Sequence, residues 1–109
     1  MIIGIDYYRT ITANPKVFRS IVQPWIDVGY SIHVITAVRK NNIAATRNSI
    51  TKGKVPHTNI EIVQFENYED IPTLKLTVCK QLGVKLMFDD MPETCELLSK
   101  HGIMTAQIR

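Results

Sequence analysis

Three carboxylates, a lysine and a threonine stand where a chain of alternating strands and helices can do chemistry. Asp6 follows the short apolar run Ile2-Ile3-Gly4-Ile5, and Asp89 and Asp90 follow a second run, Val84 to Phe88. A carboxylate just past a buried strand is a candidate nucleophile or a ligand for a hard cation. Adjacent carboxylates repel unless a cation or water lies between them. Mg²⁺ typically takes one or two carboxylates together with waters and substrate oxygens. The plainer reading is capping: Asp6 would cap a turn, and Asp90 the helix that Pro92 opens. Capping accounts for one aspartate of the pair and leaves the other unexplained.

Lys75 is expected in the first turn of a helix, where a cation opposes the helix dipole unless carboxylates or a phosphate lie close by. Otherwise it is a solvated surface lysine. Thr36 ends an apolar strand with a hydroxyl that can hold a phosphate oxygen, although threonine is common there. His33, between Ile32 and Val34, reads as a half-buried structural histidine. His57 and His101 show no metal-ligand spacing, and neither do Cys79 and Cys95, which read as buried reduced thiols in helices. Arg39, Lys40, Arg47, Lys52 and Lys54 form a basic cluster. It is either a solvated helix face or a patch that draws in phosphate-bearing ligands.

The elements that position these residues follow from the apolar pattern. Ile2 to Ile5, Tyr30 to Thr36, Ile60 to Phe65, Val84 to Phe88 and Ile103 to Ile108 read as strands. The third alternates most and so belongs near an edge. Asn14-Pro15 opens a helix with Val17, Phe18, Ile21, Val22, Trp25 and Ile26 on its core face, ending at Gly29. Pro24 inside it predicts a kink near Ser20 to Pro24. Further helices are expected from Asn41 or Asn42 to Lys52, from Asp70-Ile71-Pro72 to Leu82, and from Pro92 to Gly102. Regular β-α alternation predicts a three-layer α/β/α Rossmann-like sandwich around a mainly parallel five-stranded sheet. The strand ends that carry Asp6, Thr36 and Asp89-Asp90 then face the same side, with Lys75 beside them.

Composition agrees with this reading. The chain has 109 residues, 45% hydrophobic and 21% charged, the balance of one ordinary globular domain. Its net charge is +3, and no aromatic interleaving marks a nucleic-acid groove, although nucleic acid is not excluded. No apolar run approaches the ~18 residues that a membrane span needs. With no leader evident, the expected compartment is the cytoplasm. A homo-oligomer stays open.

Together the motifs resemble the haloacid dehalogenase (HAD) superfamily, in a small form without a cap domain, over the whole of residues 1–109. GIDYYRTIT resembles the family's first motif through Asp6 and Thr10, and HVITAVR the second through Thr36. TLKLTVCKQLG supplies the lysine, Lys75, and LMFDDMPE the late acidic pair, Asp89 and Asp90. The resemblance implies a HAD-like fold and Mg²⁺-dependent hydrolysis of a phosphorylated substrate, with Asp6 as the nucleophile that becomes an aspartyl-phosphate. It implies a metal held by Asp6, the backbone carbonyl of Tyr8, and Asp89 helped by Asp90. It also implies Thr36 and Lys75 as the phosphate-binding groups.

Two residues depart from the family pattern. Tyr8 stands where the family's phosphatases carry an acid/base aspartate, and Arg9 stands where glycine is usual. A phenol can donate a proton but is a poor base at neutral pH. Three functions therefore stay open: a phosphatase, slow if Tyr8 must serve in catalysis; a degenerate domain that binds metal or phosphate as a regulatory module; and, ranked lower, a 2-haloacid dehalogenase. Dehalogenases of the family carry tyrosine at this position, but they also have a cap and work without Mg²⁺.

Overall fold

A computed structural model describes all 109 residues. Five strands, β1 (Ile2–Ile5), β2 (Ser31–Val38), β3 (Asn59–Gln64), β4 (Val84–Asp89) and β5 (Met104–Gln107), alternate with four helices. The helices are α1 (Pro15–Asp27), α2 (Ile43–Lys52), α3 (Ile71–Leu82) and α4 (Pro92–Lys100). The sheet runs in the order β3-β2-β1-β4-β5, and every neighbouring pair is parallel. This is the expected Rossmann-like three-layer sandwich, with β3 at an edge. No helix is long and apolar enough to cross a membrane.

The two cores follow from strand alternation, which sends successive side chains to opposite faces. Ile3, Ile5, Ile32 and Val34 pack with Phe18 and Val22 of α1 and Ile50 of α2. On the other face Ile35, Val63 and Met87 pack with Leu76 and Cys79 of α3 and Leu98 of α4. Gly4 lies on this second face, where a Cβ would come within 2.6 Å of Met87 Sδ and 2.9 Å of Ile35 Cδ1. Glycine at this position leaves room for the side chains of Met87 and Ile35, from the strands on either side, to meet over β1. Asp6 follows Gly4 in the same alternation and so faces α3.

Strand order places the site. From β1 the chain winds outward through β2 to β3, then crosses back to β4 on β1's other side. The reversal opens a crevice beyond the carboxyl ends of β1 and β4, where open α/β sheets bind ligands. In the register of that pair Ile5 lies opposite Phe88, so Asp6 and Asp89 come side by side.

Some local expectations are corrected. Helix α1 is uninterrupted through Pro24. Ser20 and Pro24 are both exposed, so the residue whose carbonyl loses its intrahelical donor lies on the solvent side of the helix. Val17 is 56% exposed and lies off the core face. Asn14 occupies the N-cap position, but its side chain makes no capping hydrogen bond. Strand β2 runs two residues past Thr36, because Ala37 and Val38 pair with Val63 and Gln64.

Candidate active site

At the end of β1 the chain enters a tight turn over Tyr7–Ile11. Tyr8 is extended there, while Arg9 takes φ 60° and ψ 4°, the left-handed region that favours glycine. The turn leaves Asp6 with only 5% exposure, and its backbone N–H donates to Phe88 O at 2.9 Å. Asp89, the last residue of β4, is fully buried. Its Oδ1 accepts from the backbone N–H of Met91 at 3.0 Å, so Asp89 tethers the start of α4. No capping bond forms through Asp90, which corrects the capping alternative. Asp90 is partly exposed and stands within reach of Asp6.

Lys75 lies in the second turn of α3, one turn later than expected, and is 3% exposed. Its Nζ donates to Asp89 Oδ2 at 2.6 Å and lies 3.1 Å from Asp6 Oδ1. The solvated-lysine alternative is therefore wrong: this ammonium is buried between two carboxylates. Burial pulls the Lys75 pKa down, but Asp6 and Asp89 outweigh it and the net direction is up. Burial pushes the Asp6 carboxyl up; Lys75 opposes this, Asp89 adds to it, and the result is about 7. A buried cluster with more carboxylates than cations keeps a proton on Asp6 to near neutral pH, a charge that a second cation could replace.

The donor set suits a hard divalent cation. Asp6, Asp89 and Asp90 each offer an oxygen within 4.8 Å of the others, all hard carboxylate donors of the kind Mg²⁺ selects. Lys75 satisfies one oxygen of Asp6 and one of Asp89, and Met91 the second of Asp89.

These residues line a cavity of about 210 Å³ together with Tyr8, Arg9, Thr36, Phe65 and Tyr68. All six candidate positions, Asp6, Tyr8, Thr36, Lys75, Asp89 and Asp90, thus border one space. Thr36 is 1% exposed and reaches the cavity from β2. The Tyr8 hydroxyl is turned aside: it lies 2.6 Å from Oγ1 of Thr46, a fully buried residue of α2. Thr10 is fully buried and its hydroxyl has no partner.

The aromatic rim escaped the sequence reading. Arg39 stacks over the Phe65 ring at 4.8 Å and donates to the Glu66 carbonyl at 2.7 Å, while Phe65 meets Tyr68 edge to face. Phe65 directly follows β3, so the strand-end rule that found Asp6 also pointed to it. Arg39 and Lys40 share an open groove with Phe65, whereas Arg47 and Lys52 lie exposed along α2. His33 is buried and faces Glu61 at 3.4 Å, away from the cavity, as its structural reading expects. Cys79 and Cys95 are buried free thiols.

No protein-family model and no curated protein matches this chain. Solved structures do match. A chain in the structure of the Pnkp1/Rnl/Hen1 RNA repair complex superposes with a TM-score of 0.75 at 9% sequence identity. The match covers 98% of this chain and 42% of the other, so this chain spans less than half of its neighbour's length. At that identity the likeness carries the fold alone.

Proposed function

We propose that this chain is a HAD-like, Mg²⁺-dependent phosphohydrolase in which Asp6 accepts the phosphoryl group. The observation that carries this reading is the meeting of Asp6, Asp89 and Asp90 with Lys75 at the crevice between β1 and β4. Asp6, the Tyr8 carbonyl and Asp89 with Asp90 would hold the ion, which when bound offsets charge on the phosphoryl oxygens. Lys75 holds one oxygen of Asp6, and the other would attack phosphorus. Thr36, at the cavity wall, would position a phosphoryl oxygen, and Lys75 would balance the charge that builds there. A cavity of about 210 Å³ suits a small or terminal phosphate.

A second reading, a domain that binds metal and phosphate without turnover, is favoured by one observation: the Tyr8 hydroxyl lies on Thr46. One assay separates the two. Mg²⁺-dependent release of the alcohol from an aryl phosphate, lost in Asp6→Asn, supports the hydrolase. Mg²⁺ and phosphate binding with no release from any phosphate ester supports the binding module.

A further inference from the structure

We infer that the substrate of this site carries a second anionic group beyond the phosphate held in the cavity, and that Arg39 and Lys40 select it. The inference rests on the hydrolase reading above and adds the substrate class: small phosphomonoesters whose far end bears a carboxylate or another phosphate. Phe65 lines the cavity and also a larger groove of about 540 Å³, walled by Arg39, Lys40, Asn41, Gln64 and Glu66. On its other side the cavity shares Tyr68 and Met91 with a second groove, walled also by Glu69, Pro72 and Glu93. The part of a substrate that the cavity does not hold thus has two ways out, one past two cations and one past two carboxylates. An anionic body takes the first, because like charges exclude it from the second.

Arg39 is set to meet an oxyanion. Its guanidinium lies 4.8 Å from the centre of the Phe65 ring, and its Nη1 donates to the Glu66 carbonyl at 2.7 Å. Phe65 is in turn braced edge to face by Tyr68. One N–H of the guanidinium is engaged by that carbonyl, and no carboxylate pairs with the group, so the rest of its donor fork is open to an oxyanion. An arginine already held by a ring and a carbonyl loses less freedom when it binds. Lys40 follows in the chain, lines the same groove and also has no carboxylate partner. Glu66 is the groove's one acidic residue and pairs with neither cation, so the groove keeps a net positive charge. Phe65, partly buried between the two spaces, offers an apolar surface to the segment that joins the two anions. Arg47 and Lys52 of the same basic cluster line neither space.

The test measures, by calorimetry with Mg²⁺ present, the binding of alkylphosphonates of graded chain length, whose carbon–phosphorus bond resists hydrolysis. Each length is made with a methyl group, a carboxylate or a second phosphonate at its far end. At the best length the anionic end should tighten binding about tenfold or more over the methyl end, the scale of a charge-assisted hydrogen bond. A gain with the carboxylate alone identifies a phosphorylated acid, and a larger gain with the phosphonate identifies a bisphosphate. Arg39→Gln should bring the ratio close to one and Lys40→Gln should lower it. Arg47→Gln, exposed on α2 outside the groove, should leave the ratio as it is. Equal affinity at every length overturns the inference, and so does a gain that survives in Arg39→Gln or an absence of binding by every phosphonate. Hydrolysis of an aryl phosphate, followed alongside, reports on the hydrolase reading alone. Turnover without an end-group preference overturns the inference and leaves that reading standing. A preference without turnover of any ester supports the anion subsite and overturns the hydrolase reading.

Discussion

Replacing Asp6 with asparagine should make the metal-free protein more stable, and only above mildly acidic pH. Burial raises the Asp6 carboxyl from 3.8 to about 7, even with Lys75 3.1 Å away. Below about pH 4 the group is protonated whether the chain is folded or unfolded, and asparagine is a close mimic. Between pH 4 and 7 the folded chain keeps the proton while the unfolded chain releases it, so folded stability falls as pH rises. Each tenfold difference in proton affinity between the folded and unfolded chain corresponds to ~1.4 kcal/mol, so the loss approaches ~4 kcal/mol by pH 7 and stays constant above it. The asparagine amide of the variant does not titrate. The stability difference should therefore be near zero at pH 4 and ~4 kcal/mol in the variant's favour at pH 8. Urea unfolding in chelator at pH 4, 5.5 and 8 measures it. Parallel pH profiles, or a less stable variant at pH 8, refute the reasoning. Mg²⁺ at 100 times its Kd should return ~2.7 kcal/mol to the native protein and much less to the variant.

Other perturbations probe single contacts. Lys75→Met leaves Asp6 and Asp89 buried without their cation and should cost ~3–5 kcal/mol in metal-free denaturant unfolding at pH 8. Arg9→Gly relieves a left-handed backbone position, worth ~1–2 kcal/mol before the unfolded chain's extra freedom is subtracted, so unfolding should show a small net gain. Burial pushes the thiols of Cys79 and Cys95 up to about 11, so alkylation of the native protein at pH 8 should be slow and should become fast in denaturant.

Much of the fold was legible because it rests on local signals. Short β-branched runs became strands, and Pro15, Pro72 and Pro92 marked helix starts. Gly29, Gly83 and Gly102, all at positive φ, marked helix ends. Asp6 and Asp89 could be found because a strand end in a parallel sheet is a defined place. The extra length of β2 was hidden, because Ala37 and Val38 are held as strand by β3 rather than by their own propensity. The burial of Lys75 was hidden as well. Its sequence neighbours suit either a surface or a core helix, and only the register of β1 with β4 puts two carboxylates against it. The direction of the Tyr8 hydroxyl depends on Thr46, 38 residues away on another layer.

The convergence of Asp6, Asp89 and Asp90 on one ion is tested most directly by a crystal structure with Mg²⁺ and a phosphoryl mimic such as beryllofluoride. The expected result is one ion at ~2.0–2.1 Å from an Asp6 oxygen, the Tyr8 carbonyl and Asp89, the distance Mg²⁺ demands. The mimic should sit on the second Asp6 oxygen beside Thr36 and Lys75, with the Tyr8 hydroxyl still on Thr46. A contradicting result is an ion bound elsewhere, with Lys75 unchanged between Asp6 and Asp89 and the mimic held in the groove at Arg39 and Lys40.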